Sequence, residues 1–146
     1  MGVKLKIKRL TPDAILPAYQ TPLAAGMDLY AAGRPVTIPP MGHATVSTGI
    51  AVELPKGYGA FLFARSGLAI KSGVKPRNGV GVVDADYRGE IRIGLENLSG
   101  IAYRVEPGDR IAQMVILKVE EAEIEECEEL SETDRGEGGF GSTGKK

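Results

Sequence analysis

Residues Arg77–Glu90 read RNGVGVVDADYRGE. Asn78-Gly79 is a strong signal for a tight turn, because hairpin turns of this kind need positive φ at their central residues. Gly81 then leaves room for something flat to lie against the following strand. The stretch therefore predicts a β-hairpin. A hairpin by itself does not explain why Asp84, Asp86 and Tyr87 follow directly on Val82 and Val83. A carboxylate at the mouth of an apolar slot is what a water-activating general base needs, and a neighbouring phenol ring can close such a slot from one side.

Outward from this segment the same grammar continues. Glycine and proline are spread along the chain, and no stretch before the C-terminal tail sustains a helical apolar period over three turns, which predicts an all-β fold. Val3, Leu5 and Ile7 alternate with lysines in VKLKIK, as in a half-buried first strand. Further strands are expected at Val36–Ile38, His43–Leu54, Gly59–Ala64, Gly79–Val83, Glu90–Asn97 and Arg110–Val119, parted by the turn signals PPMG, PKG, KPRNG and EPGD. Such short, evenly spaced strands suit a sandwich, barrel or jelly roll. One short helix is expected to begin near Ser66 and to stop before Gly73.

Composition narrows the function. A chain of 146 residues is the size of one domain, and its net charge of -1 offers no basic field for nucleic-acid backbones, so any phosphate it binds should be a small, discrete ligand. Cys127 has no partner for an internal disulfide, and the glutamates around it should leave it poorly nucleophilic. No signal peptide is expected, and no apolar run approaches the roughly 18 residues a membrane span requires. The expectation is a soluble, cytoplasmic protein without membrane contact, with nuclear or organellar placement left open.

Three more segments join glycine to a charged or polar residue. In AAGMDLYAA, Asp28 lies between Met27 and Leu29, where burial of a carboxylate calls for a partner, a metal or a turn to cap. In ARSGLAIK, a helix starting at Ser66 after Arg65 makes either an anion site or an ordinary N-cap. In VEPGDRIAQMVIL, Gln113 interrupts a buried strand and must spend its amide on a ligand or a structural partner. Beyond these, residues 120–132 form an acidic run that reads as a solvated linker, and five of the ten residues Arg135–Gly144 are glycine. Glycine loses the most backbone freedom on ordering, so this tail needs something else to order it.

Taken in order, AGMDL, RSGLA, GVVDADYRGE, PGDRIAQ and RGEGGFGSTG resemble the five motifs of the homotrimeric dUTPases, over nearly the whole chain from about Lys4 to Gly144. The resemblance implies a distorted jelly roll, or β-clip, with one short helix and a flexible glycine-rich arm. It also implies a homotrimer whose three active sites draw on all three subunits. On this chain that gives a β-domain at 1–119, an acidic linker at 120–134 and a phosphate-binding lid at 135–146.

The resemblance further implies hydrolysis of dUTP to dUMP and pyrophosphate, which limits uracil in DNA and supplies dUMP for dTMP synthesis. Asn78, Gly81, Val82 and Val83 would hold uracil, while Tyr87 would pack beneath the deoxyribose and refuse a 2′-hydroxyl. Asp84 would contact the 3′-hydroxyl and activate the water that attacks the α-phosphorus. Arg65, Ser66 and Gly67 of one neighbour, with Gln113, would hold the phosphates, and Mg2+ would bridge them with Asp28 reaching it through coordinated water. The tail would close over another subunit's site, with Phe140 on the base, Arg135 on the γ-phosphate, and Gly141, Ser142 and Thr143 completing a phosphate nest. Ala64, where the family commonly has proline, and Glu137 depart from the pattern without touching this chemistry. His43, the only histidine, matches no catalytic position. The nearest rival is a dCTP deaminase, or a bifunctional deaminase and dUTPase, for which Glu96 is the tempting acid/base residue; a non-enzymatic binding module on the same scaffold is a second alternative.

Overall fold

The computed structural model describes residues 2–144. Ten strands and one helix follow in the order β1 (Lys6–Arg9), β2 (Met27–Tyr30), β3 (Val36–Ile38), β4 (His43–Glu53), β5 (Tyr58–Phe63), α1 (Ser66–Ser72), β6 (Val74–Pro76), β7 (Gly81–Val83), β8 (Glu90–Asn97), β9 (Tyr103–Val105) and β10 (Arg110–Lys118). They form two four-stranded sheets, β1-β4-β8-β6 and β2-β10-β5-β7, and a ribbon β3-β9. Every pair is antiparallel, and the whole is a distorted jelly roll.

Alternation explains the layering. Along β8, Ile91, Ile93, Leu95 and Asn97 are buried while Arg92 and Gly94 face out, and β10 contributes Ile111, Ala112 and Met114 to the same core. Leu29, Ile38, Val74 and Leu95 are wholly excluded from solvent. In the middle of β4 the register against β8 shifts between Ser47 and Ala51. Gly49 makes the turn of this bulge at φ 68, and the Thr48 hydroxyl donates to the Ile91 carbonyl. Asn97, at 0% exposure, is satisfied: its Nδ2 donates to the Ile38 and Ile101 carbonyls at 3.2 and 2.7 Å, and its Oδ1 accepts from the Ser99 amide and hydroxyl at 3.0 and 2.8 Å.

Helix α1 lies where expected. Leu68 anchors it to the core, and Gly73 ends it at φ 68 by donating back to Ala69 and Leu68. Two expectations are corrected. The first strand is displaced toward Lys6–Arg9, because its pairing with β4 sets its position; Val3 is 41% exposed. The Asn78-Gly79 turn closes no hairpin: Gly79 has φ 74 and donates to Pro76, but β6 pairs with β8 while β7 pairs with β5. Pro76 has no N–H to extend a ladder from β6, and the turn instead carries the chain from one sheet to the other. The segment Asp84–Gly89 carries it back. Past Lys118 the described residues hold no helix or strand, and nearly all of them are exposed.

Candidate active site

β7 lies at an edge of its sheet and among the described residues pairs only with β5, so one side of its backbone has no strand beside it there. Gly81 and Val83 point inward and Val82 outward, at 62% exposure. A Cβ on Gly81 would sit 3.1 Å from Cβ and 3.2 Å from Cδ1 of Leu62, so glycine is what lets β7 lie this close to β5. Beside this edge opens a cavity of about 460 Å3. Asn78, Gly81, Val82, Val83, Asp84 and Tyr87 line it together with Leu62, Glu90, Ile91 and Arg92. All six residues expected from the segment 78–87 are thus brought to one hollow, with the Asp84 carboxylate exposed at it.

The sequence offered no signal for the next layer. Glu90 accepts the Gly49 amide at 3.0 Å on Oε2 and Arg92 Nε at 2.8 Å on Oε1, and its carbonyl accepts the Tyr87 hydroxyl at 2.9 Å. These bonds tie the cavity wall to the bulge of β4.

A second hollow, of about 440 Å3, has Arg65, Gly67, Lys71, Tyr103 and Arg110 among its lining residues. Asp28 sits beneath the arginines at 8% exposure: Oδ1 accepts Arg65 Nε at 3.1 Å and Oδ2 accepts Arg110 Nη1 at 3.2 Å. Asp28 is a strand residue rather than a turn cap, and its burial is matched by two cations. Arg65 occupies the N-cap of α1 but makes no capping hydrogen bond, and Ser66 is exposed at the first helical position. Gln113 lies opposite Asp28 and donates Nε2 to the Ala64 carbonyl at 2.8 Å. Burial, and then the charge of Asp109, push the Tyr103 phenol above its ordinary pKa, against a smaller opposing effect of Arg65. Lys71, Tyr103 and Arg110 were not singled out in the sequence, although Arg110 stands inside PGDRIAQ.

The described residues of the glycine-rich tail line neither hollow. Arg135 Nε donates to the Gly138 carbonyl at 2.7 Å, so the tail turns on itself. Phe140 is fully exposed at φ 50, next to Gly141 at φ 89, and Ser142 and Thr143 are exposed. Glu96 is absent from both hollows and pairs with Lys75 at 2.8 Å.

A family model described as dUTPase matches residues 12–144. The deoxyuridine 5′-triphosphate nucleotidohydrolase of Hydrogenobaculum sp. is 52% identical over 144 residues, which cover 99% of this chain and 100% of that protein. Among solved structures, the dUTPase of Staphylococcus bacteriophage 80alpha with dUPNHPP has a TM-score of 0.89 at 31% identity, over 97% of this chain and 98% of its own. A mutant dUTPase of phage phi11 of S. aureus, described for its coordination of a structural Mg(II) ion, has a TM-score of 0.79 at 26% identity, over 86% of this chain and 97% of its own.

Proposed function

The chain belongs to the dUTPase family, and on that premise we propose that it hydrolyses dUTP to dUMP and pyrophosphate with the cavity beside β7 as its nucleoside site. The observation that carries the reading is the edge position of β7. A flat base can meet unpaired backbone groups of Gly81–Val83 there, with the Asn78 side chain beside them, in imitation of a base pair. A base with cytosine's donor pattern would leave buried polar groups unpaired, which is the costly kind of mismatch.

Asp84 acts as general base. It takes a proton from a water, whose oxygen attacks the α-phosphorus as the bond to the bridging oxygen breaks and pyrophosphate leaves. Tyr87 lies under the deoxyribose and excludes a 2′-hydroxyl. Arg65, Ser66, Gly67 and Gln113 hold the phosphate chain, where positioning and charge neutralisation dominate the chemistry. Magnesium suits this arrangement as an ion carried by the triphosphate. Among the described residues no cluster of three His, Cys, Asp or Glu side chains forms a metal cage. Each Asp28 oxygen accepts one arginine hydrogen bond, which leaves a lone pair on each for a coordinated water. Bound there, the ion would neutralise phosphate charge and align the chain for in-line attack.

The reading makes the active enzyme a homotrimer, since Arg65 and Gly67 line one hollow of the chain while Asn78, Asp84 and Tyr87 line another. Its layout is a β-domain at 1–119, an acidic linker at 120–134 and a closing arm at 135–146. In that arm Arg135 meets the γ-phosphate, Phe140 the base, and Gly141, Ser142 and Thr143 the phosphates. The cellular role is to limit uracil in DNA and to supply dUMP for dTMP synthesis, in the cytoplasm. No helix of the described residues is long and apolar enough to cross a membrane. Deamination is not favoured, because Glu96 is held by Lys75 away from the β7 cavity.

The test presents dUTP, dCTP, dTTP and UTP separately with magnesium and follows pyrophosphate, ammonia and nucleoside monophosphates, with Asp84→Asn as control. Pyrophosphate and dUMP from dUTP alone, abolished in the variant and by chelation of magnesium, is the expected result. Ammonia from dCTP, or activity retained by Asp84→Asn, overturns it.

A further inference from the structure

Among the described residues Tyr87 is the only aromatic ring lining the β7 cavity, and at 46% exposure it is not fixed by burial. Two neighbours hold it instead. Its hydroxyl donates to the Glu90 carbonyl at 2.9 Å, and Glu90 is itself pinned by the Gly49 amide and by Arg92. The phenol end of the ring rests on Gly89. A Cβ built there would lie 2.6 Å from Cζ and 2.9 Å from Cε2 of Tyr87, and closer still to the hydroxyl. Carbon atoms in good contact stand about 3.5–4.0 Å apart, so the ring in its observed place leaves no room for even a methyl group. Gly89 has no left-handed φ, unlike Gly79 a few residues earlier, so its backbone conformation would accept alanine. With the Tyr87 ring in its observed place, position 89 accepts no side chain.

From this geometry we infer that Gly89 is a specificity-determining position: with the Glu90 carbonyl it forms the seat that holds the Tyr87 ring where it meets the sugar. The inference rests on the reading of the cavity as a dUTP site and adds to it a residue that touches no substrate. A methyl group at position 89 drives the ring off its seat by roughly 1 Å, the scale of misplacement that matters for a close-fitting site. The ring then no longer presents one fixed surface to the 2′ position.

The experiment compares kcat and KM for dUTP and UTP in the full-length protein and in Gly89→Ala, with thermal unfolding as the check on folding. The ratio of kcat/KM for dUTP over UTP is expected to fall about tenfold or more in the variant, the size of effect that a poorly fitted pocket contact produces. The change for dUTP should lie mainly in KM, because Asp84 is untouched, with kcat within about threefold. A folded Gly89→Ala protein whose ratio stays within about twofold of the parent overturns the seat. Tyr87→Phe supplies a second arm that requires no new volume: it keeps the ring on Gly89 and cuts the tether to Glu90. A partial fall in the ratio is expected, and an unchanged ratio overturns the tethered platform even where Gly89→Ala does not fold. Failure of the unaltered protein to hydrolyse dUTP at all would overturn the reading beneath the inference instead.

Discussion

Replacing Asp28 by alanine removes one carboxylate from between two guanidinium groups. The Asp28 side chain is 11% exposed, against 26% for Arg65 and 43% for Arg110, so the acid is buried while both cations reach water. Breaking a fully buried pair costs about 3–5 kcal/mol and an exposed one about 0.2–1 kcal/mol. Here the loss of two hydrogen bonds at 3.1 and 3.2 Å adds to repulsion between the bared arginines, while rotation of both heads into solvent relieves part of it. The expected loss is roughly 2 kcal/mol, about 4–8 °C in Tm for a domain of this size. Urea unfolding at fixed protein concentration, in magnesium-free buffer so that no bound ion contributes, gives the number. A cycle with Arg110→Ala should return a coupling of about 1 kcal/mol. A loss below about 0.5 kcal/mol, or strict additivity in the cycle, would refute the claim that Asp28 is held by this pairing.

Other consequences are as open to measurement. Asn97→Leu leaves the buried Ile38 carbonyl without the Nδ2 donor it has now, and should cost about 3 kcal/mol by urea unfolding; a neutral result would mean that the network around Asn97 contributes nothing net. The Thr11 hydroxyl, and then the Gly33 amide, hold the Asp13 carboxyl below the ordinary aspartate range. Its contribution to stability is therefore complete above the unfolded-state pKa and disappears as pH falls through the lower folded-state value. Thr11→Ala should move the Asp13 titration, followed by carbon-detected NMR, back toward the ordinary range. Deleting Arg135–Lys146 should leave a folded trimer by light scattering with little turnover of dUTP, and full activity in that truncation would sink the role of the arm.

Local pattern made some of this molecule legible and not the rest. The alternation in Glu90–Asn97 gives β8 at its observed limits, and Gly73 gives the end of α1, because in both cases the deciding residues are neighbours in sequence. The three-residue strands β6 and β9 carry no pattern of their own and exist through β8 and β3. Asn78-Gly79 does specify a turn, but which strand β7 pairs with depends on β5, far away in the chain. The site divides the same way. Asn78–Tyr87 is contiguous, so its convergence on one cavity was readable. The Arg65–Asp28–Arg110 cluster joins residues 37 and 82 positions apart, and Gly89 looks like any turn glycine until the Tyr87 ring is seen resting on it.

The detour of β7 has a consequence for how the protein comes and goes as an enzyme. Its sequence neighbours β6 and β8 are in one sheet, while its three residues are stitched into the other. Neither sheet can form the cavity beside β7 alone, because its lining residues come from β5 and β7 of one sheet and β8 of the other. If that cavity is the nucleoside site, as proposed, a chain whose sheets have parted should not bind nucleotide there.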